Sequence, residues 1–425
     1  MFTKEENELL VRVGPETPMG QMMRRYWVPA CMSEEVAEPD CDPFRVRLLG
    51  EDLVAFRDTN GRVGLMDQLC PHRRAGLFLA RNEEGGLRCL YHGWKIDVDG
   101  RILEQPCEPP DSTFKDRVRA KAYPTHEAGG LIWTYMGPRE HQPPFPDFEW
   151  NIVPDGNRSI AKVLTEANYL QPCEGNSDHT HAIILHNGYE SILFPPPNVD
   201  LIRQTRFDFA DAPWGITMAS THDDQDDPDH LDYVSNSHFV FPFFAVVPPR
   251  GFGHVHLYVP IDDERTWDYS VYYSQTRGID HLGMLRRRKV MPDVDLLPDR
   301  RRKRNIGNGL MQDRVAMREK RSFSGIGDNP HEDEGIQESM GPICDRWNEH
   351  LGTTDVCVIN LRQRMLQAVR DFQNGGTPPG LQGGFEFSQI KAHRKLLPKG
   401  MPWQRIEDYA EGDLESDYAQ AVATS

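Results

Sequence analysis

The sequence predicts an α+β protein, because a block of short strands is followed by a longer block that combines strand and helix patterns. Residues 41–150 contain short apolar or alternating runs separated by turn signals such as Asp58-Thr-Asn-Gly61, which is typical of an all-β domain. Residues 151–425 combine strand patterns with helical ones, which favours an antiparallel sheet packed with helices. Residues 1–40 read as an N-terminal helical segment, and 425 residues suffice for two or three domains of roughly 150 residues.

The elements within these blocks are predicted from caps, turns and apolar periodicity. Thr17-Pro18 is expected to cap a short helix, and residues 137–146 form a proline-rich linker between the two main domains. The second main domain is expected to begin with a helix around 161–187, to continue with strands at 201–209, 214–221, 232–247, 254–260 and 266–275, and to contain later helices at 334–350 and 355–373. Basic runs at 286–289 and 300–304 read as solvated helix faces, or as docking sites for an acidic partner or subunit.

Composition excludes several classes of function. The formal net charge of −17 argues against binding to nucleic acid or to an anionic membrane surface. The first residues are charged and do not resemble a secretory signal, and no run approaches the roughly 18 apolar residues of a membrane span. The cysteines outside one motif are dispersed and read as reduced thiols. We therefore expect a globular, cytoplasmic protein.

Two Cys-His pairs carry the strongest chemical signal. Cys70-Pro-His72 is followed, after sixteen intervening residues, by Cys89-Leu-Tyr-His92. A Rieske [2Fe–2S] cluster takes two thiolates on one iron and two imidazoles on the other. A zinc finger groups like ligands together, whereas here Cys and His alternate. The chain is therefore expected to carry a Rieske cluster, and hence an electron relay that needs an acceptor.

A second metal site is predicted around His181 and His186. Non-heme iron oxygenases bind Fe(II) through two histidines and one carboxylate. Glu174, Asp178 and His181 share one helix face, but His186 lies about 140° from His181, so the helix must bend or loosen between them. Asp178 can accept the other ring N–H of His181, which fixes its tautomer. His179 lies on a different face and reads as a bystander.

The carboxylate ligand must come from another part of the chain, and the acidic stretch at 332–340 is the strongest place to look. Spacing alone leaves open Asp328, Glu332, Asp333 and Asp355. The pair His254-x-His256 would share one face of a strand and competes as a metal site, although no carboxylate cluster accompanies it.

These motifs resemble the Rieske non-heme iron aromatic-ring oxygenases, and most of all the single-subunit phthalate dioxygenase branch. The likeness covers almost the whole chain. It rests on residues 7–27, both Cys-His pairs, Asn168-x₂-Gln171-x₂-Glu174-x₃-Asp178-x₂-His181-x₄-His186, and Glu338-Ser-Met-Gly-Pro342. The resemblance implies an N-terminal all-β Rieske domain and a C-terminal helix-grip, or START-like, catalytic domain in which an antiparallel sheet wraps a long helix.

The resemblance also implies the ligands of both metal centres. Cys70, His72, Cys89 and His92 would hold the [2Fe–2S] cluster. His181, His186 and Asp333 would hold a mononuclear Fe(II), since the family's acid precedes an apolar-x-Glu pattern that residues 336–338 match.

Partners and assembly follow from the same resemblance. Asp178 would bridge His181 to His92 of a neighbouring subunit, which implies a homotrimer that can stack into a hexamer. A NAD(P)H-dependent reductase carrying FMN and a plant-type cluster would supply the electrons. The expected reaction is hydroxylation of an aromatic acid of the phthalate or benzoate class with dioxygen.

The predicted substrate pocket departs from the branch, whose sheet arginines meet substrate carboxylates. The pocket strands at 214–222 and 233–239 contain no arginine. The candidate substrate contacts are therefore Arg203, Arg206, Asn236 and His238. Two alternatives stay open: an O-demethylase of a methoxylated aromatic acid, and a Rieske electron carrier without mononuclear iron.

Overall fold

A computed structural model describes residues 2–186, 205–223 and 231–408. Its helices are α1 (Lys4–Val11), α2 (Pro18–Met23), α3 (Glu149–Ile152), α4 (Leu170–Ser177), α5 (His179–Ile184), α6 (His281–Arg287), α7 (Arg314–Arg318), α8 (Asn329–Ser339) and α9 (Val356–Gln373). Among these described helices, none is long and apolar enough to cross a bilayer.

The strands alternate with turns through both halves of the chain. They are β1 (Trp27–Met32), β2 (Phe44–Leu48), β3 (Glu51–Arg57), β4 (Val63–Asp67), β5 (Arg81–Glu83), β6 (Gly86–Arg88), β7 (Lys95–Ile96), β8 (Ile102–Glu104), β9 (Ala122–Tyr123), β10 (Thr125–Ala128), β11 (Leu131–Tyr135), β12 (Arg158–Thr165), β13 (Thr205–Ala212), β14 (Gly215–Asp223), β15 (Leu231–Val240), β16 (Phe244–Val247), β17 (Gly253–Pro260), β18 (Thr266–Tyr273) and β19 (Arg394–Pro398).

Residues Arg12–Asp147 form one compact unit, here called the N-terminal unit. It contains three small antiparallel sheets with strand orders β1-β11-β10, β2-β3-β4-β9 and β5-β6-β7-β8. Phe56, Leu87 and Trp94 belong to a buried core that also includes Cys70 and Cys89. The two motif cysteines are therefore anchored in the packed interior of a largely β unit, as the α+β prediction requires.

The C-terminal unit comprises α1 and the described residues from Phe148 onward. α1 belongs to it because Asn7 donates to the Cys344 carbonyl and Tyr169 donates to the Leu10 carbonyl. The sequence groups residues 1–40 into one helical segment, whereas the structure assigns α1 to this unit and forms β1 within the same segment.

An eight-stranded antiparallel sheet dominates the C-terminal unit, in the order β12-β18-β17-β16-β15-β14-β13, with β19 also paired to β15. The long helix α9 packs against β13 and β14. Its buried positions recur in pairs, at Cys357, Val358, Leu361, Arg362, Met365, Leu366, Ala368 and Val369. This stripe, at the helical period, explains why a sheet and one long helix can share a core, as predicted for a helix-grip domain.

Two predicted helices have different bounds in the structure. Residues Arg158–Thr165 form β12 rather than the start of a helix. Nearly every residue of this strand is buried, and polar residues lie on both of its faces, so the run lacks the alternation of apolar and polar residues that marks a strand in the sequence. The helix predicted at 334–350 is α8, five residues earlier at its start. Asp328 caps it by accepting the His331 N–H, and Gly341, with φ +85°, follows its end.

A buried carboxylate ties α4 to the segment around α9. Glu174 accepts hydrogen bonds from Arg346, at 2.8 and 2.9 Å, and from Arg362, at 2.6 Å. Burial alone would raise the pKa of Glu174, but the two guanidinium groups outweigh it and hold that pKa below its usual value. All three residues are at most 8% exposed, so the charges stabilise one another with little help from water.

Replacing Arg346 by methionine is expected to lower the free energy of unfolding of the C-terminal unit by about 3 kcal/mol, because it leaves Glu174 with half of its compensation. The matched control is Arg370→Met, since Arg370 makes an exposed pair with Glu6 and should contribute less than about 1 kcal/mol. Calorimetric melting of both variants measures the difference, and equal melting temperatures would contradict this role of Glu174.

Candidate functional site

The Cys-His pairs lie on two loops of the N-terminal unit that fold alike. Cys70 follows β4 and Cys89 follows β6. In each loop the cysteine N–H donates to the carbonyl five residues ahead, and the cysteine carbonyl accepts the N–H four residues ahead. Arg74 and Gly93, at equivalent positions, both have positive φ, which closes the two turns. The repeated loop thus presents two copies of one ligand pattern.

The four side chains of these loops divide into a buried pair and a surface pair. The Cys70 and Cys89 thiols are 1% and 4% exposed, whereas the rings of His72 and His92 reach the surface with centroids 4.5 Å apart. Burial, together with the nearby Cys89 thiol, raises the pKa of Cys70 to about 11. A metal ion is needed to hold such a group as a thiolate at neutral pH. Two buried thiols and two imidazoles fit the ligand set of a Rieske cluster.

In the C-terminal unit, Asp178 separates α4 from α5 and positions His181. Its Oδ1 accepts two N–H groups of the first turn of α5, at 2.8 and 3.3 Å. Its Oδ2 lies 3.7 Å from His181 Nδ1, which is an ion-pair distance. α5 ends at Ile184, so His186 lies beyond the last helical residue. Because α5 ends between the two histidines, they can approach each other, although a continuous helix would hold them about 140° apart.

Asp333, on α8, completes a group of three possible metal ligands. Its Oδ1 lies 3.3 Å from His181 Nε2 and 3.1 Å from His186 Nε2. The three donor atoms lie within 4.8 Å of one another, and the two imidazole rings are nearly perpendicular, at 81°. Two neutral imidazoles and one carboxylate are the ligand set of non-heme Fe(II) sites that keep coordination positions open.

The rival carboxylates have other partners. Asp328 caps α8 and also bonds the His331 ring, at 2.7 Å. Asp355 accepts the Gly352 N–H at the start of α9. Glu332 is hydrogen-bonded to Nδ1 of His186, the ring nitrogen that faces away from Asp333.

The electrostatics of this group favour a bound cation. Burial opposes protonation of His181, but Asp178 and Asp333 outweigh it and raise its pKa to about 10. Burial likewise opposes protonation of His186, yet Asp333 and Glu332 raise its pKa. Three carboxylates thus face two imidazoles, and this excess of negative charge suits a divalent metal ion.

A cavity of about 260 Å³ adjoins the three donors. Besides the donors, its walls include Ser220, Ser235, Ser237, Arg250, His254, His256, Arg287 and Arg288. His179, read from the sequence as a bystander, also lines it and bonds Ser237 Oγ through Nε2, at 2.8 Å. Burial lowers the pKa of His179 to about 4, so this ring is neutral.

Asn236 and His238, predicted as substrate contacts, do not line this cavity. Asn236 Oδ1 accepts the His393 N–H, and His238 Nε2 lies 2.8 Å from the Lys391 carbonyl oxygen. Successive residues of a strand point to opposite faces, so the neighbouring serines of β15 face the cavity instead. Asn236 and His238 are thus displaced from the cavity-facing positions by one residue of register, and their contact with a substrate stays a prediction.

The predicted arginine contacts do not reach the cavity wall either. Arg206 is exposed, whereas its neighbour Thr205 lines the cavity from the other face of β13. Arg203 lies outside the described residues. The arginines of the wall are instead Arg250, between β16 and β17, and Arg287 with Arg288 at the end of α6. The basic run at 286–289 was visible in the sequence, but its position beside the sheet was not.

Comparisons with known proteins agree with both centres. The sequence matches the family described as "Rieske [2Fe-2S] domain" over residues 26–124 and that described as "LigXa C-terminal domain like" over residues 134–424. It is 39% identical to the phthalate 4,5-dioxygenase oxygenase subunit of Pseudomonas putida, over 95% of this chain and 94% of the relative. It is 31% identical to the 5,5'-dehydrodivanillate O-demethylase oxygenase subunit of a Sphingobium strain, over 96% and 91%.

The fold also has solved counterparts. A crystal structure of dicamba monooxygenase bound to dicamba aligns with a TM-score of 0.59 at 16% identity, covering 84% of this chain and 99% of that one. The chain therefore belongs to the Rieske non-heme iron oxygenases, as a terminal oxygenase subunit of the phthalate dioxygenase branch that carries a [2Fe–2S] cluster and a mononuclear iron and receives electrons from a separate protein partner.

Proposed function

We propose that this oxygenase hydroxylates an aromatic acid of the phthalate or benzoate class. The observation that carries the proposal is one cavity that holds both the three metal donors and a set of arginines. Guanidinium groups bind carboxylates through paired, charge-assisted hydrogen bonds. The phthalate 4,5-dioxygenase oxygenase subunit, which is 39% identical to this chain, is named for phthalate, an aromatic acid.

The residues of the two centres have distinct tasks in this proposal. Cys70, His72, Cys89 and His92 hold the cluster, while His181, His186 and Asp333 hold the iron through Nε2, Nε2 and Oδ1. When bound, the cluster supplies single electrons and the iron provides the open coordination positions at which dioxygen is reductively activated.

The wall formed by β17 supports a fixed orientation of the substrate. His254, His256 and Tyr258 share one face of the strand and span roughly 13 Å at 3.3 Å per residue. Burial, His256 and the nearby Arg288 and Arg250 lower the pKa of His254 well below its usual value, so the ring stays neutral and the arginines carry the positive charge. Farther along the strand, His256 and Tyr258 line a neighbouring cavity together with His181 and Asp333, so a substrate carboxylate held near His254 would leave the aromatic ring toward the donors.

O-demethylation of a methoxylated aromatic acid is the second candidate. The part of the cavity wall formed by β14 and β15 is rich in hydroxyl groups, since Ser220 pairs with Ser235 across the strands and His179 is bonded to Ser237. Such a wall can hold a phenol or methoxy oxygen by hydrogen bonds. The 5,5'-dehydrodivanillate O-demethylase oxygenase subunit, which is 31% identical to this chain, is such a demethylase subunit by name. Formaldehyde release distinguishes this reaction from ring hydroxylation.

Assembly and electron supply complete the proposal. Leu90 and Tyr91, which directly precede His92, are 63% and 55% exposed, and a neighbouring subunit can cover this apolar surface. We infer a homotrimer, open to stacking into a hexamer, in which Asp178 meets His92 of the next subunit. We infer a NAD(P)H-dependent reductase with FMN and a plant-type cluster as the donor. A cytoplasmic location would give that reductase its nicotinamide supply.

Asp333→Ala is expected to lower the iron content from about three to about two atoms per chain, because it removes one of three iron ligands and leaves the cluster intact. Metal analysis and the visible absorption of the cluster measure both quantities in the same sample. A wild-type protein with only the two cluster irons would instead favour the electron carrier without mononuclear iron.

Asp178→Asn is expected to keep both metal sites filled but to slow product formation in a single turnover by about 10- to 100-fold, because the amide removes the negative charge that faces His181. Asp313→Asn is the matched control, since Asp313 caps α7 with the same two kinds of hydrogen bond. Wild-type rates in Asp178→Asn, with both sites filled, would refute the role of Asp178.

Arg288→Leu is expected to raise KM for benzoates and phthalates by about 10- to 100-fold, the cost of one charged hydrogen bond, while affecting neutral methoxyarenes little. Arg286→Leu is the matched control, because Arg286 is exposed on the same helix and does not line the cavity. Dioxygen uptake coupled to product, across a panel of these compounds, is the measurement. An unchanged KM for every acid would contradict the arginine site.

A further inference from the structure

Glu332 is a buried carboxylate to which the proposed function assigns no role. It is 1% exposed and precedes Asp333 on α8. Its Oε2 lies 2.8 Å from Nδ1 of His186, and its Oε1 accepts the hydroxyl of Ser324. Both oxygens are therefore engaged, and the carboxylate is held from one side by Ser324 while it contacts the ring on the other.

The contact determines which nitrogen of His186 carries the proton. A neutral imidazole has one N–H and one lone pair, and either nitrogen can hold the proton. Because a carboxylate accepts hydrogen bonds, Nδ1 must be the N–H that faces Glu332, which leaves the lone pair on Nε2. Nε2 is the atom that lies 3.1 Å from Asp333 and within the group of metal donors.

Neighbouring residues of one helix make this arrangement possible. Glu332 and Asp333 are consecutive on α8, so their side chains leave the helix about 100° apart. They meet opposite edges of the same ring, one at Nδ1 and the other at Nε2. His181 has weaker support, because Asp178 Oδ2 stands 3.7 Å from its Nδ1 and Asp178 Oδ1 already caps α5.

We propose that Glu332, braced by Ser324, is a positioning residue that fixes the tautomer and orientation of His186 and thereby sets the affinity of the site for ferrous iron. The proposal rests on the ligand set proposed above. Partners that orient metal-binding histidines commonly change metal affinity by about 10- to 100-fold when they are lost. Of the two histidines, His186 has the closer carboxylate partner at Nδ1, at 2.8 Å against 3.7 Å for His181.

The test measures the dissociation constant of Fe(II), by anaerobic competition with a chelator, in Glu332→Leu, Glu332→Gln and Ser324→Ala. Glu332→Leu should raise it by about 10- to 100-fold. Glu332→Gln should raise it less, because the amide oxygen still accepts the Nδ1 hydrogen bond. Ser324→Ala should also raise the Fe(II) dissociation constant, since the Glu332 carboxylate loses the hydrogen bond from the Ser324 hydroxyl. The ligand-field absorption of Co(II) bound at the same site should shift in Glu332→Leu.

The matched control is Asp328→Asn, which weakens a carboxylate–imidazole pair on the same helix, at 2.7 Å from His331, away from the three donors. It should lower thermal stability but leave the Fe(II) dissociation constant within about twofold, whereas loss of iron affinity in both variants would indicate a merely structural effect and overturn the proposal. The absorption of the Rieske cluster, in the other unit, reports integrity of each preparation.

Two results separate the possible failures. Wild-type iron affinity in Glu332→Leu, with Asp333→Ala depleted of iron, would overturn the role of Glu332 and leave the ligand set standing. Full iron content in Asp333→Ala would refute the ligand set itself. If Glu332→Leu does not fold, wild-type affinity in both Glu332→Gln and Ser324→Ala overturns the proposal in its place.

Discussion

The catalytic centre depends on one buried ionic contact, the carboxylate of Glu174 held between Arg346 and Arg362. Arg362 lies on α9, the long helix that packs against β13 and β14, and Glu174 lies on α4 one turn before Asp178. Fixing α4 to α9 therefore fixes Asp178, and Asp178 ends one helix and begins the next that carries His181. The charge of Glu174 takes no part in the reaction, but it thus sets the positions of Asp178 and His181.

The two histidines of the metal site differ in how closely an acid supports each ring. Three carboxylates face two imidazoles, and each imidazole presents Nε2 to Asp333 while another acid lies toward Nδ1. One of these acids, Glu332, is buried and braced within the unit. The other, Asp178, is 28% exposed in its side chain and more distant from its ring. The buried acid suits retention of iron, and the accessible one suits contact with a neighbouring subunit.

The sequence predicted the α+β class and the two centres because their ligands follow local spacing rules, as in Cys70-x-His72 and Cys89-x₂-His92. Spacing alone did not decide among the four acids, because that choice depends on how α8 packs against α4, and Asp333 was expected only from the family resemblance. The sequence predicted contacts at Asn236 and His238 on β15, whereas Ser235 and Ser237 line the cavity, because composition alone does not show which face of a strand is turned toward a cavity. The arginines at 287–288 looked like a solvated helix face, because sequence does not tell which surface a helix lies beside.

Anomalous diffraction at the iron absorption edge, from crystals of the fully reconstituted protein, tests the central claim most directly. The account predicts a single-atom peak among His181 Nε2, His186 Nε2 and Asp333 Oδ1, and a stronger two-iron peak among Cys70, His72, Cys89 and His92. A single-atom peak on His254 and His256, or none in the C-terminal unit, would contradict it.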